Sequence, residues 1–446
     1  MMEWKQLLTP HRLNNDKPEQ SDCSRTSFQR DFDRLVFSSP FRRLKDKTQV
    51  FSLAKNDYIR TRLIHSMEVS CVGRSLGTIV GDEIIRTHSL KNISASDFGD
   101  IVSAACLAHD IGNPPFGHQG EKALSTGFQS WYNTANPVDK HILSKKEKAD
   151  LDNFEGNAQG FRILTHLEMY RKNGGMQLTC PTLAAFTKYP IESDIPPDIL
   201  NGYQGRSVKK HGFFQSEKEL FKEVADTVGL IRRSDKCAWW ARHPLAFLVE
   251  AADDICYSIV DLEDGHRMKY IPFERAKKLL NEIAEITDDK LEKAAKSKED
   301  KIKLLRAIAI DKLVREAAEI FLQQDSSLLS GEFDKELLSL SVHAESIKAI
   351  KKEARKEVFE HPDVVGIQIA GYEILGYLFT EFVNSTLHSS SKGELLQKIL
   401  PEAYRPSDSE YESCYEKILH ITDYISGMTD SYATSVFQTL KGISLP

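Results

Sequence analysis

His109 and Asp110 stand side by side at the end of a mostly apolar run, CLAHD, and a Gly/Pro loop, IGNPPFG, follows directly. One histidine at a helix end usually caps or packs. An adjacent imidazole nitrogen and carboxylate oxygen can instead chelate a single divalent ion. Such a site needs further donors from elsewhere in the chain. His65 lies in RTRLIHSMEVS, and Asp253 and Asp254 lie in EAADDICYSIVD, an otherwise apolar stretch. Two carboxylates there are costly to bury unless paired or metal-bound. Two histidines and two aspartates on three separate helices would hold manganese, magnesium, iron or zinc, with positions left for water and substrate.

The elements that must position these residues read as helices. Residues 100–108, 243–262, 304–322 and 365–386 repeat apolar side chains every three or four positions, and period-2 runs are scarce. Gly and Pro mark helix ends at 112–120, 174–175 and 188–190. The spacing predicts an all-α protein in four parts: an N-terminal extension (1–24), a core that holds the chemistry (25–270), a charged helical insertion-like segment (271–360) and a C-terminal helical region packing on the core (361–446). Residues 288–303 are dense in mixed charge and read as a solvated helix or an exposed linker.

Composition narrows the class. Over 446 residues the chain is 41% hydrophobic and 28% charged, which argues against long disorder and against a membrane protein. The N-terminus has no apolar signal core. Seven cysteines without CxxC pairs fit reduced thiols in a cytoplasm. The net charge of -6 gives no global attraction to nucleic acid, so a polyanionic substrate needs a local basic cluster.

Longer stretches of text carry a resemblance. RTSFQRDFDRLVFSSPFRRLKDKTQVF (25–51), RTRLIHSMEVS (60–70), AHDIGNPPFGHQGE (108–121), NFEGNAQGFRILT (153–165), LEDG after EAADDICYSIVD, and DYISGMTDSYA (423–433) resemble, in order, the motifs of HD-domain hydrolases. Within that group they are similar to the deoxyguanosine triphosphate triphosphohydrolases, and the resemblance spans residues 25 to 433. It implies an HD-domain helical fold and a divalent cofactor, manganese or magnesium first, with iron, nickel or zinc also compatible. The implied ligands are His65, His109, Asp110 and one of Asp253 and Asp254.

Helical register then separates the last two. Asp253, Tyr257 and Asp261 fall at i, i+4 and i+8 on one face. The family keeps an Asp, Tyr, Asp series at this spacing, the first as ligand and the others near the deoxyribose, so Asp253 is chosen. Asp254 is expected to orient a ligand histidine. His118 and Glu121, three residues apart, match a pair that does acid/base work beside the metal.

Gln49, sixteen residues before His65, matches a sugar-contacting glutamine, and Asn157 is a pocket amide. Arg62 and Lys188 are expected to hold phosphate, with Arg60, Arg42, Arg43 and Lys47 as further basic candidates. Ser431 stands where Arg or Leu is expected, and Lys441 is its possible substitute at a phosphate.

The implied reaction is metal-dependent hydrolysis of dGTP or several dNTPs to deoxynucleoside and inorganic triphosphate, with ribonucleotides disfavoured by Tyr257. The resemblance also implies a homo-oligomer, a hexamer, with a single-stranded DNA or nucleotide effector. Two other readings use the same residues: an HD-domain phosphohydrolase acting on another nucleotide phosphoester, and a nucleotide-binding regulatory protein. The flanking motifs favour the triphosphohydrolase over the former. The intact ligand types and the His118/Glu121 pair favour an enzyme over the latter.

Overall fold

The periodic apolar runs do become helices. The computed structural model describes residues 1–14, 25–49, 60–135, 143–168, 175–405 and 413–444. The front half contributes α1 (Ser27–Val36), α2 (Arg62–His88), α3 (Ala95–Ala108), α4 (Gly117–Thr134), α5 (Gly156–Arg162), α6 (Cys180–Phe186) and α7 (Pro244–Arg267). The back half adds α8 (Lys298–Gln323), α9 (Ala344–Ala354), α10 (Pro362–Leu387), α11 (Cys414–Ser426) and α12 (Asp430–Leu440). Among the described residues extended pairing is confined to isolated bridges such as Thr48 with Thr61. The fold is all-α. No described helix is long and apolar enough to cross a membrane.

Local chemistry starts these helices where the sequence changes character. Thr26 and Gln29 form a capping box at α1, and Ser413 and Glu416 form another at α11, each satisfying amides left open at a helix start. α7 begins with His243 as its cap and Pro244 at its first position, where a missing N–H costs nothing.

Among the described residues three hydrophobic clusters form, and the two large cores both contribute to the walls of the site. The first is built on Val69 and Leu76 of α2, Ile101 and Leu107 of α3, and Leu248 and Ile255 of α7. The second joins Leu124 and Phe128 of α4 to Phe379 and Phe382 of α10 and Ile418 and Ile425 of α11. Each large apolar side chain fully buried in this way contributes about 1.5–3 kcal/mol.

Three spans of the sequence-based division gain detail from the packing. Residues 1–14 of the N-terminal extension are packed: Trp4, Leu7, Leu8 and Leu13 sit in the first core, and the Trp4 indole donates to Asp325 Oδ1 at 2.9 Å. Residues 15–24 lie outside the described residues. Within 271–360, α8 buries Leu305, Ala309, Leu313 and Phe321 in the same core. The charged stretch 288–303 is a short helix, Asp288–Ala294, followed by the start of α8, fastened by buried Leu291 and Ile302. The apolar stripe of α10 is core rather than surface, since Leu375, Phe379 and Phe382 are fully buried.

Candidate active site

Three helices bring the metal-type donors together. His65 comes from the first turn of α2, His109 caps the C-terminus of α3, and Asp253 projects from the middle of α7. His65 Nε2 lies 3.2 Å from Asp253 Oδ1, and His109 Nε2 lies 3.5 Å from the same oxygen. One donor atom from each residue falls within 4.8 Å of the others. His109 Nδ1 donates to the Cys106 carbonyl at 2.7 Å, which fixes the tautomer and leaves the Nε2 lone pair aimed at the cluster. Two imidazole nitrogens and a carboxylate oxygen, buried and converging, fit a divalent cation of the borderline type.

Asp110 stands beside this trio. Its Oδ1 is 3.5 Å from His109 Nε2, its Oδ2 accepts from Arg62 at 2.7 Å, and Asn113 also donates to its Oδ1. Burial pushes the Asp110 carboxyl up, but Arg62 and the two histidines outweigh it and hold the group below the usual carboxylate range. Asp253 behaves alike. Burial raises it, and the Lys188 ammonium, 2.7 Å from Oδ2, together with His109 and His65, holds it well below.

The His118–Glu121 pair forms at the start of α4. His118 Nδ1 is 2.9 Å from Glu121 Oε2, so the imidazole is oriented by the carboxylate, and its side chain is 74% exposed. Glu121 is buried, and its Oε1 accepts the Gly156 amide at 2.9 Å. Burial pushes Glu121 up, but His118 and Lys210 more than offset it. Lys210 Nζ sits 2.9 Å from Glu155 Oε1 and 3.8 Å from Glu121 Oε2, between two buried carboxylates. Gly112 lets this corner close: a Cβ there would meet the Gly156 carbonyl and the Gly160 amide at 2.1 Å each. Only glycine allows the loop after Asp110 to lie against α5.

These groups open on a cavity of about 650 Å³. Gln49, Arg62, Asn157, Lys188 and Tyr257 line it, as do His65, His109, Asp110, Asp253 and His118. Gln49 Oε1 is buried with no hydrogen-bond partner among the described residues. The Asn157 amide donates to Glu155 at 2.6 Å.

Asp261 stands apart, one turn beyond Tyr257 and buried rather than on the cavity wall. Its Oδ2 has no hydrogen-bond partner among the described residues, and burial raises its carboxyl to about 8. Asp254 reaches the cavity but accepts from Lys351 at 2.7 Å instead of orienting a histidine.

Most of the other basic candidates serve structure. Arg60 donates to Glu68, Glu263 and Asp264, which leaves it a clamp between α2 and α7 rather than a phosphate ligand. Lys47 is buried against two backbone carbonyls. Ser431 bonds Asp46, and Lys441 lies 3.9 Å over the Tyr377 ring. The walls also hold groups that the sequence did not single out: Arg206, Lys210, Tyr189, and, from the segment after α9, Arg355 and Phe359. Phe359 stacks on Tyr257 with centroids 5.7 Å apart. No local pattern marks these residues, because they reach the cavity from loops and from a helix about a hundred positions away.

Comparison with known proteins follows the same geography. Residues 62–157 match the HD domain and residues 337–439 match the phosphohydrolase-associated domain. A deoxyguanosinetriphosphate triphosphohydrolase-like protein of Synechocystis is 55% identical over 446 residues, with all of both chains covered. The chain belongs to the deoxyguanosinetriphosphate triphosphohydrolase-like family. A family member from Pseudomonas aeruginosa is 39% identical over 460 residues, again covering both chains fully. The deoxyguanosinetriphosphate triphosphohydrolase of Yersinia enterocolitica is 32% identical over 488 residues, 93% of each chain. The chain is therefore an HD-domain hydrolase, of a domain class that binds divalent metal. His65 and His109 lie within the matched HD span, and Asp253 reaches them from outside it.

Proposed function

We propose that this enzyme hydrolyses deoxynucleoside triphosphates, dGTP or several of the four, to deoxynucleoside and inorganic triphosphate. The observation that carries the reading is one cavity in which a His65, His109 and Asp253 cluster, His118 oriented by Glu121, and five cationic side chains converge. Those cations are Arg62, Lys188, Arg206, Lys210 and Arg355. The names of the relatives point the same way.

His65, His109 and Asp253, with Asp110 as fourth donor, would hold manganese or magnesium, and iron, nickel or zinc would also suit these ligands. The ion supplies charge neutralisation at the phosphate and makes water a better nucleophile near neutral pH. The protein's own groups do the rest. Arg62 and Lys188 hold phosphate oxygens beside the donor cluster. A water oxygen bonds to the α-phosphorus, the bond to the 5′-oxygen breaks, and triphosphate leaves whole. His118, kept in one tautomer by Glu121, carries the proton to the departing 5′-oxygen. The unpaired Gln49 amide meets a sugar hydroxyl, Asn157 lines the same pocket, and Tyr257 closes the space a 2′-hydroxyl would need. Asp261, which the resemblance put near the deoxyribose, is buried behind that wall and does not reach the cavity. Cytoplasmic location, assembly into a homo-oligomer, and response to a nucleotide or single-stranded DNA effector belong to the same reading.

The test is product analysis by ion-exchange chromatography with Mn²⁺, each dNTP in turn and GTP as control. Deoxynucleoside plus intact triphosphate is expected, with GTP far behind. Monophosphate plus pyrophosphate would mean that a different bond is cut. Equal kcat/KM for GTP and dGTP would remove the sugar role of Tyr257.

A further inference from the structure

Besides Val364, Ile367 and Gln368 of α10, which line the cavity, the C-terminal helices reach the loops of the site through a buried carboxylate. Asp430, the first residue of α12, is 1% exposed. It does not serve as the helix cap, because Thr429 fills that position and accepts from the Tyr432 amide. Its oxygens face two loops instead, one just before the HD-matched span and one within it. Oδ2 accepts from the Thr48 amide at 3.2 Å and from the Thr48 hydroxyl, and Oδ1 accepts from the Phe116 amide at 3.1 Å.

Both loops carry site residues. Thr48 precedes Gln49, and Phe116 stands two positions before His118. Phe116 caps α4 with φ +62, a left-handed conformation that residues other than glycine rarely adopt, so its amide direction has to be held by its surroundings. A second tie runs parallel: Lys47 Nζ donates to the Asn113 carbonyl at 2.6 Å and to the Ser426 carbonyl at 2.7 Å. The same three segments are thus pinned twice.

We propose that Asp430 is a positioning residue for the reaction, setting the Gln49 loop and the start of α4 so that the Gln49 amide and the His118 imidazole stand in register over the metal-type cluster. The assignment rests on the proposed roles of Gln49 and His118. It gives the phosphohydrolase-associated region a part in the chemistry without any substrate contact. A charge-assisted hydrogen bond from a buried carboxylate to backbone N–H is among the stronger ways to fix a loop.

Asp430→Asn and Thr48→Val test it in the full-length enzyme, with three readouts. Hydrogen–deuterium exchange of peptides spanning 44–49 and 113–118 should become severalfold faster in Asp430→Asn, while peptides of α7 stay as in the parent. Mn²⁺ binding by calorimetry should remain within twofold, since none of the cluster's donors touches Asp430. The dGTP-to-GTP ratio of kcat/KM should fall at least fivefold in Asp430→Asn and about threefold in Thr48→Val, because misplacing Gln49 blunts sugar selection. A residue that merely stabilised the fold would lower activity on both substrates alike.

Unchanged loop exchange in Asp430→Asn overturns the proposal, and so does an unchanged sugar ratio. If Asp430→Asn does not fold, Thr48→Val decides by the same two measurements. If the parent releases no triphosphate from any dNTP, the functional reading fails on its own, and the exchange data still decide whether Asp430 positions both loops.

Discussion

At the residue scale, the site depends on carboxylates kept ionised by specific cations. Asp253 is the shared neighbour of His65, His109 and Lys188. Saturating Mn²⁺ should raise the melting temperature of the parent, because a ligand at about 100 times its Kd adds about 2.7 kcal/mol. Asp253→Ala should abolish both that shift and turnover; a retained Mn²⁺ shift by scanning fluorimetry would remove Asp253 from the ligand set.

Glu121 faces His118, Glu155, Lys210 and the Gly156 amide, with His211 and Tyr189 adjoining Lys210. Lys210 helps to hold Glu121 below its ordinary pKa. Replacing it with Met leaves two buried carboxylates without their cation, so the Glu121 pKa must rise and protonation must begin at higher pH. The acid limb of the kcat profile should therefore move upward in Lys210→Met and stay near the parent in Lys210→Arg. An unmoved limb in Lys210→Met would show that Lys210 does not act through Glu121.

At the element scale, α7 carries Asp253, and its start is fixed by a histidine that works only when neutral. His243 Nδ1 accepts from the Leu245 amide at 3.1 Å, and Nε2 lies 3.1 Å from the Leu7 carbonyl, to which it donates. One nitrogen must accept while the other donates, which the imidazolium cannot do. Burial pushes His243 down to about 4. The unfolded chain therefore binds a proton between about 6.5 and about 4 that the folded chain refuses. The stability this residue contributes is present above pH 6.5 and is lost as pH falls through 4. His211, lowered to about 4 by burial and by Lys210, adds to the loss in the same window. His243→Asn, which can cap without titrating, should lower the melting temperature at pH 7 yet shrink the drop between pH 7 and pH 4.5. An equal drop in parent and variant, in melts followed by circular dichroism, would count against this role.

At the scale of the whole molecule, the two cores are joined through polar contacts as well as through packing. Arg162 of α5 donates to Asp423 of α11 at 2.8 Å, and Gln159 donates to the same carboxylate at 2.8 Å. Phe382, fully buried in the second core, meets Tyr424 edge-on at 5.5 Å. Phe382→Ala should cost about 3–5 kcal/mol, the usual range for a large aromatic lost from a core. Urea unfolding should remain a single transition with a lower midpoint, since the loops around the site are held from both cores. Two separated transitions would mean that the cores unfold independently.

Much of this was legible in the chain itself. Residue type and local spacing identified His65, His109, Asp110 and the Asp253/Asp254 pair, because ligand chemistry depends on side-chain type and helical register depends on separations of three and four. The same local rules marked the helices, while the acid/base reading of His118 and Glu121 came from the resemblance. What the sequence could not settle was which groups meet across long separations. Arg60 looked as suited to phosphate as Arg62, yet α7 supplies Glu263 and Asp264 to one, while the loop at Asp110 turns the other toward the cavity. Asp254 finds Lys351, ninety-seven residues away, and Asp430 finds Thr48 and Phe116 from the far end of the chain. Periodicity states which face of a helix is apolar. It does not state which other helix covers that face, and only the packing of the two cores decides which charges are neutralised within the protein and which remain for a ligand.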